Sequence, residues 1–409
     1  MEPSLQFAGY RFIMVLELHI ALLALLLVAA LVVGALVGRT AAVRSRGRPE
    51  PGAAAAAGAA SDAETEDAAE APVPAQPAPT QAALVLNPVK DAARAAREQL
   101  VQLCREEGMP EPLVFETTEE DPGRGQARAA LEAGADLVIV AGGDGTVRLV
   151  AEQLVGTDVP MGIVPAGTGN LLARNLDVVR DRTEWALRTA LHGRDTAIDT
   201  GTILLADEET PHTFLVMAGI GFDAAVMADV SSDRKSKVGW LAYVEEGSRK
   251  LLGNRVTVHV AVDEDPEKEL KVRSVVAGNC GKLQGGVWLF PDAEIDDGQL
   301  DLLVVSPKNL AEWVGVVASI AGKRVRRGLH TATAQGERFT VRAEEPVEVQ
   351  IDGDPFGLTT SMELRVVPAS LMVRTPTPEL KRQIRLDAFR LAGGGFTSED
   401  TRLLGSHVG

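Results

Sequence analysis

Apolar residues near the start of the chain predict a membrane anchor. Residues 12–37 are almost wholly apolar, with no polar residue from 22 to 37. About 20 such residues cross the hydrocarbon core of a bilayer, so we predict one transmembrane helix over residues 12–38. Only Arg11 precedes this segment, whereas four arginines follow it closely: Arg39, Arg44, Arg46 and Arg48. By the positive-inside rule, the remainder of the chain is expected in the cytoplasm, as a single-pass membrane protein. A cleaved signal peptide is the alternative, although its basic residues usually come first.

The next segment, residues 39–80, is rich in alanine, proline and acidic residues. Val73 is the only large apolar side chain between positions 49 and 80. Such a segment cannot bury enough apolar surface to offset the entropy lost on ordering. We predict a disordered linker here.

From residue 81 onward, short apolar runs alternate with helical patterns. The runs predict strands at 84–86, 113–115, 137–140 and 161–165, and helices are expected at 91–104, 125–132 and 147–154. Asp91 is a candidate cap for the first of these helices. Alternating strands and helices favour a parallel sheet, which predicts an α/β domain over residues 81–195.

After Gly193 the pattern changes to many strands with few helices. Strands are predicted at 196–205, 214–218, 256–262, 272–277, 300–305, 339–343, 347–351 and 362–367. This pattern is typical of an antiparallel β-rich domain, here over residues 196–375, whose last strands could return to the first domain. Helices are expected at 240–252 and at 380–391, the second within a C-terminal region of residues 376–409 that ends in a loose tail.

Composition excludes some classes of function. The formal net charge is −16, which argues against nucleic acid as the main partner. The only cysteines are Cys104 and Cys280. Two isolated cysteines indicate neither a disulfide framework nor a zinc site, and they suit a reducing compartment.

The clearest chemical signal is Gly142-Gly143-Asp144-Gly145-Thr146, between a predicted strand and a predicted helix. Glycines let a bulky anion approach the backbone, and free N–H groups at a helix N-terminus favour phosphate. Asp144 would repel a phosphate unless a cation lies between them, or unless it orients a water or a lysine. A plain glycine-rich turn is the alternative interpretation. The stretch is neither a GxGxxG motif, which would need glycine at Arg148, nor a Walker A loop.

A second glycine-rich loop, Gly167-Thr168-Gly169-Asn170, follows the fourth predicted strand. Asn87, Thr117 and Asp144 also follow strands. Because ligands bind at the carboxyl ends of parallel strands, the four segments predict one nucleotide site at that edge.

These segments together resemble the diacylglycerol kinase catalytic family, in its bacterial branch that includes sphingosine-kinase-like proteins. The resemblance covers about residues 81–375. Its marks are Asn87-Pro88, the two glycine-rich loops, and residues 219–223, 291–298 and 352–354. It implies transfer of the ATP γ-phosphate to a lipid hydroxyl with Mg²⁺, by default from diacylglycerol to phosphatidic acid. It also implies a nucleotide-binding domain followed by a β-sandwich.

The resemblance implies roles for particular residues. Asp354 would be the general base, with Asp352 as its support or its competitor. Three residues would bind a structural Mg²⁺, Asp297 through its side chain and Glu294 and Gln299 through carbonyl oxygens. The nucleotide would contact Asn87, Pro88, Thr117, Thr118, Gly142, Gly143, Asp144, Gly145, Thr146, Gly167, Thr168, Gly169 and Asn170.

The chain also departs from the family pattern. Lys90 and Asp91 stand where Ser-Gly is frequent, Leu171 stands where an aspartate is common, and Asp354 stands where bacterial members often have glutamate. Two alternatives therefore stay open: a kinase of a soluble acceptor such as NAD, and an inactive membrane-tethered nucleotide-binding scaffold. The expected partners are a membrane lipid substrate and the membrane itself, with a homodimer possible.

Overall fold

The computed structural model describes residues 79–221, 255–284, 287–321 and 330–391. The predicted transmembrane helix at 12–38, all but the last two linker residues, the predicted helix at 240–252 and the tail beyond 391 lie outside these ranges. Among the helices within them, none is long and apolar enough to span a membrane. The described residues belong to one compact unit, except Asn309–Val314.

The first domain is a four-stranded parallel sheet with helices between its strands, as the alternating pattern predicts. The strands lie in the order β2-β1-β3-β4. The elements are β1 (Ala82–Leu86), α1 (Asp91–Glu106), β2 (Leu113–Glu116), α2 (Arg124–Glu132), β3 (Leu137–Gly142), α3 (Asp144–Leu154), β4 (Met161–Pro165), α4 (Leu171–Asn175) and α5 (Thr183–His192).

Burial explains why these segments take these forms. Every residue of β1, β3 and β4 is buried, which is why their sequences are continuous apolar runs without alternation. Helix α1 instead buries one stripe, including Ala96 and Leu100. The expected cap of this helix is wrong, because Asp91 is its first helical residue and Lys90 precedes it without a side-chain cap. Asp91 still contributes its negative charge to the first turn, where the helix dipole favours it.

The second domain is β-rich, as predicted, and it forms a β-sandwich-like core. Its elements are β5 (Arg194–Leu205), β6 (His212–Phe214), β7 (Met217–Ile220), β8 (Val256–Val262), β9 (Lys268–Val272), β10 (Ser274–Gly278), β11 (Leu300–Val305), α6 (Leu310–Ala321), β12 (Thr331–Gly336), β13 (Arg338–Ile351) and β14 (Asp354–Thr375), followed by α7 (Pro378–Leu391). Buried residues such as Phe214, Phe339 and Leu364 form its apolar core.

The long strand β14 joins the two domains. It pairs with β13 at one end and with β5 along most of its length. Near its other end, Val373 pairs in parallel with Met161 of β4. One hydrogen-bonded sheet therefore runs in the order β12-β11-β10-β7-β13-β14-β4-β3-β1-β2.

Several elements differ from the sequence-based expectation. The strands expected at 339–343 and 347–351 form the single strand β13, whose register with β14 shifts between Arg342 and Val347. The strand expected at 214–218 is divided into β6 and β7, because the N–H groups of Leu215 and Val216 donate to the carboxylate of Asp352. The strand expected at 272–277 is β10, whereas helices α5 and α6 and strands β9 and β12 were not predicted.

Helix α5 packs directly on β4, and this contact requires glycine at position 162. A Cβ atom there would lie 2.5 Å from the Cβ of Ala190. We expect Gly162→Ala to lower the free energy of unfolding by about 1–3 kcal/mol, the usual cost of overpacking. Thermal unfolding of the purified chain measures the effect.

Two controls accompany this prediction. A Cβ at Gly315 meets nothing within 4 Å, so Gly315→Ala should not lower the unfolding temperature. The double change Gly162→Ala with Ala190→Gly removes the overlap and should recover part of the lost free energy of unfolding. Recovery is incomplete because glycine within a helix costs about 1 kcal/mol relative to alanine. A Gly162→Ala variant as stable as the wild type would contradict the packing described here.

Candidate functional site

The carboxyl ends of the parallel strands lie level with one another. Asn87 N–H donates to the Ala141 carbonyl at 3.0 Å, and Thr117 N–H donates to the Leu86 carbonyl at 2.9 Å. Ala166 N–H donates to the Gly142 carbonyl at 2.9 Å. These bonds extend the ladder beyond each strand, so the segments that follow β1 to β4 meet at one edge, as predicted.

The two glycine-rich loops touch each other at this edge. A Cβ atom at Gly167 would lie 2.7 Å from the Cα of Gly143. A Cβ at Gly169 would lie 2.5 Å from Asp144 Oδ2. Both glycines are therefore required by close approach, and a larger residue at either position would separate the loops.

Asp144 fastens the loops together with its carboxylate. Oδ2 accepts a hydrogen bond from Asn170 N–H at 2.8 Å, and Oδ1 accepts one from Leu171 N–H at 2.6 Å. These N–H groups stand at the N-terminus of α4, where they have no intrahelical partner. Burial raises the pKa of Asp144 and the negative charge of Asp354 adds to the rise, while the N–H donors oppose it.

Asn170 closes the second loop on itself. It has a left-handed backbone, with φ of 49°. Its Oδ1 accepts from Gly167 N–H at 2.9 Å, and its Nδ2 donates to the Gly167 carbonyl at 2.8 Å. The side chain of Arg174 also donates to the Gly169 carbonyl, at 2.6 Å. The loop is thus held in shape by its own side chains.

Asp354 reaches this edge from the second domain. It follows a two-residue turn between β13 and β14, in which Asp352 and Gly353 both have positive φ, 51° and 91°. Such turns match the twist of the paired strands. Asp354 is exposed, and its Oδ2 lies 3.1 Å from where a Cβ of Gly145 would be. Its carboxylate therefore lies against the first turn of α3.

Asp352 has a different environment from Asp354. It is 5% exposed, and its Oδ1 accepts from the N–H groups of Leu215, Val216 and Met217 at 2.8–3.2 Å. Burial raises its pKa to about 6, although these donors and the positive charge of Arg148 oppose the rise. Asp352 thus ties the turn to the connection between β6 and β7.

The other predicted nucleotide contacts surround the two loops. Asn87 Oδ1 accepts from Val89 N–H at 3.1 Å, which forms a tight turn after β1. Thr118 Oγ1 accepts from Asp121 N–H at 3.1 Å. Thr117 and Thr146 are buried, whereas Thr168 is exposed. The nucleotide contacts of all these residues stay predictions.

The predicted structural metal site lies in the loop before β11. Glu294, Asp297 and Gln299 are exposed there, and Asp297 Oδ1 accepts from Gln299 N–H at 2.9 Å. Carbonyl and carboxylate oxygens in one tight turn suit a hard cation. Within the described ranges, no three His, Cys, Asp or Glu side chains gather as a metal site. That finding does not test the predicted site, because two of its three ligands are backbone carbonyl oxygens.

Sequence reasoning missed Asp199, which holds this loop in place. It is 1% exposed, and it accepts from Gly298 N–H and Ala369 N–H, both at 2.6 Å. Its own N–H donates to the Ile295 carbonyl at 2.9 Å. A carboxylate directly after the apolar Ile198, in the middle of a strand, was the available signal.

A glycine-rich edge, with a carboxylate held against a helix N-terminus, is the arrangement expected of a phosphotransferase that uses a nucleotide. Two family models match the chain: the diacylglycerol kinase catalytic domain over residues 81–203, and the YegS C-terminal NAD kinase beta sandwich-like domain over residues 216–375. The chain belongs to the diacylglycerol kinase catalytic-domain family, a family of ATP-using kinases. The resemblance stated from the sequence is therefore confirmed.

Individual relatives agree with this family. The diacylglycerol kinase of Mycobacterium tuberculosis (strain ATCC 25618 / H37Rv) is 30% identical over 260 residues, which are 61% of this chain and 79% of that protein. The diacylglycerol kinase of Bacillus subtilis (strain 168) is 28% identical over 286 residues, 68% of this chain and 91% of that protein. A crystal structure of a diacylglycerol kinase from Bacillus anthracis str. Sterne shares the fold, with a TM-score of 0.52 at 19% identity, covering 75% of this chain and 100% of that one.

The raised pKa of Asp352 predicts a particular dependence of stability on pH. The folded protein holds this proton more tightly than the unfolded chain, so the stability that the residue contributes falls as pH rises from about 4 to 6. Asp352→Asn removes this dependence. We expect the stability of wild type relative to Asp352→Asn to decrease by up to about 3 kcal/mol between pH 4 and 7.

Asp177→Asn is a control of opposite sign. Burial alone would raise the pKa of Asp177, but hydrogen bonds from Lys282 and Lys381, at 3.1 and 3.3 Å, hold it below its usual value. The stability from Asp177 is therefore lost as pH falls. Unfolding temperatures of both variants from about pH 2 to pH 7 measure the two trends, because the Asp177 effect lies mainly below the ordinary carboxyl pKa of about 4. Parallel curves for wild type and Asp352→Asn would refute the first trend.

Proposed function

We propose that this kinase transfers the γ-phosphate of ATP to the hydroxyl of a lipid, most simply diacylglycerol, to yield phosphatidic acid. One observation carries the proposal: the exposed carboxylate of Asp354 lies against Gly145, in the first turn of α3. That turn is where free N–H groups favour a phosphate. A proton acceptor therefore lies beside the position expected for the transferred group.

The chain's own residues supply positioning and proton transfer. The N-terminus of α3 and the two loops fastened by Asp144 would hold the phosphates of ATP at the sheet edge. Asp354 would take the proton of the acceptor hydroxyl as its oxygen bonds to phosphorus. Such assistance is typically worth about 10²–10⁴-fold in rate. Because phosphoryl transfer depends otherwise on alignment and charge neutralisation, one base beside the acceptor is sufficient.

The charges of the site fit a divalent cation. Asp144 and Asp354 are near enough that the charge of Asp354 raises the pKa of Asp144, after the larger effect of burial. Phosphates bound between them would add more negative charge. Bound Mg²⁺ would neutralise charge on the phosphoryl oxygens, with Asp144 as the candidate residue to hold it. The loop of Glu294, Asp297 and Gln299 is the candidate for a second, structural ion.

A lipid acceptor is supported by the names of the relatives and by exposed apolar side chains. Among the described residues, Val89 and Leu358 are the large apolar side chains that stand out as exposed, at 80% and 65%. Val89 follows the Asn87-Pro88 turn, and Leu358 lies four residues after Asp354. An exposed apolar side chain on the strand that begins at Asp354 suits an acceptor with acyl chains better than a polar dinucleotide.

The acceptor is tested with the full chain in detergent–lipid mixed micelles with Mg-ATP. We expect phosphate transfer to diacylglycerol, measured against other lipid alcohols and against NAD. Asp354→Asn should bind ATP as the wild type does and lose about 10²–10⁴-fold of turnover. Asp352→Asn should lose less, since its carboxylate faces backbone N–H groups. Phosphorylation of NAD and of no lipid would refute the proposal, and ATP binding without any transfer would favour the inactive scaffold.

We also propose that the chain is anchored by residues 12–38 with its kinase domains in the cytoplasm. The four arginines after the apolar segment support this orientation. Topology reporters fused after Pro51 should report a cytoplasmic location, whereas a reporter that is active only outside the cytoplasm would contradict it. Replacing the four arginines by glutamine should weaken the preference, because positive charge sets the orientation.

A further inference from the structure

Helix α3 carries a cation on its buried side. Arg148 is 6% exposed and stands among buried residues that include Val147, Val150 and Ala151. Two of its guanidinium nitrogens, Nε and Nη1, are buried and have no hydrogen-bond partner among the described residues. An unsatisfied buried donor costs about 1–3 kcal/mol, so an apolar residue would serve packing better here. We therefore expect the charge of Arg148 to act on residues outside helix α3.

The guanidinium faces the turn that carries Asp354. Its Cζ lies 5.9 Å from the centroid of the Phe356 ring, within the range of a cation–π contact. Its positive charge also acts on the buried Asp352, where it opposes the effect of burial on the pKa. Asp352 and Phe356 stand two residues before and two residues after Asp354. Arg148 thus acts on the chain on both sides of the base.

The same turn of α3 also forms the phosphate-binding end of the helix. Arg148 follows Asp144 by four residues, and side chains on an α-helix lean toward its N-terminus. Arg148 therefore lies over the turn that contains Asp144 and Gly145, where the carboxylate of Asp354 also lies. One helical turn contacts the second loop through Asp144 and the catalytic turn through Arg148.

We propose that Arg148 is a positioning residue for phosphoryl transfer, which holds the 352–356 segment against the first turn of α3 so that Asp354 stays beside the phosphate-binding loop. This role of Arg148 rests on the proposed function, because it positions Asp354 for that phosphoryl transfer. The contact with Phe356 uses the planar face of the guanidinium, and the attraction to Asp352 uses its charge. Lysine at position 148 would keep the positive charge but not the planar guanidinium, and methionine would keep neither.

Three variants separate this role from a general effect on folding. Arg148→Met should lower kcat by about 10²-fold, the cost expected when a reacting group is misplaced by about 1 Å. The KM for ATP should stay near the wild-type value, because the loops held by Asp144 are untouched. Arg148→Lys should restore part of kcat. Arg128→Met is the matched control, since Arg128 is exposed on α2 and its guanidinium donates a long hydrogen bond of 3.4 Å to Gln153.

A double-mutant cycle tests whether Arg148 acts through the turn. If it does, the loss of kcat in Arg148→Met with Asp352→Asn should be smaller than the product of the two single losses. Independent roles would give losses that multiply. A multiplicative result, or an Arg148→Met variant that is folded and turns over at the wild-type rate, would overturn the proposal. A rise in the KM for ATP with kcat unchanged would also overturn it.

A measurement without any acceptor separates this proposal from the proposed function. The N–H groups of Leu215, Val216 and Met217 donate to Asp352, and Gly353 N–H donates to the side chain of Gln350 at 2.7 Å. Amide hydrogen exchange at these positions should be faster in Arg148→Met than in wild type and in Arg128→Met. Faster exchange in a protein that phosphorylates no lipid would refute the proposed function alone. Unchanged exchange would refute the positioning role.

Discussion

The carboxylate of Asp144 is the contact on which the site depends. It stands at the start of α3, yet both of its oxygens accept N–H groups from the start of α4, 26 and 27 residues further along the chain. This bridge brings the two loops so close that Gly143, Gly167 and Gly169 meet backbone to backbone or backbone to carboxylate. Without it, the first turns of α3 and α4 would lose the two hydrogen bonds that set the separation of the loops.

The position of Asp354 depends on a second constraint, the continuity of β14. This strand begins at Asp354 in the turn and ends in the first domain, where Val373 pairs with Met161 of β4. Asp354 therefore belongs to the same hydrogen-bonded sheet as the strands that carry the two glycine-rich loops. Its distance from α3 is set by strand register and not by a flexible connection between domains. In the proposal above, Arg148 acts on this arrangement at the hairpin turn where β13 passes into β14.

Local patterns predicted the four strands of the first domain and most of its helices. β1, β3 and β4 are buried on both faces, so their sequences are continuous apolar runs that no helix period explains. The two loops were recognisable in the sequence by their glycines. Glycine is required there because the loops approach each other too closely for a side chain at Gly167 or Gly169. The fold class of both domains was predictable for the same reason: turn residues and apolar periods are local properties of the chain.

Contacts between distant residues were not predictable in this way. Nothing in the sequence pairs Asp144 with Asn170, or Asp199 with the loop before β11. The choice between Asp352 and Asp354 stayed open because strand alternation ends at Ile351, and two residues with positive φ then follow. That turn directs one carboxylate inward to three N–H groups and leaves the other exposed. Helix α5 was missed although its buried side, which includes Trp185, Leu187 and Leu191, is an apolar signal visible in the sequence.

The geometry also explains how the chain accommodates Leu171, where the family commonly has an aspartate. Leu171 contributes its N–H to Asp144, which any residue except proline can supply, and its side chain is 8% exposed. A carboxylate at this position would add a further negative charge beside the buried Asp144, in a site proposed to receive phosphates. Burial already raises the pKa of Asp144, and the charge of Asp354 raises it further. An apolar residue at 171 lowers the negative charge that a bound cation would have to neutralise, while the hydrogen bond that fastens the loops is kept. The departure therefore removes no contact on which the loop geometry depends, and it is compatible with catalysis through Asp354.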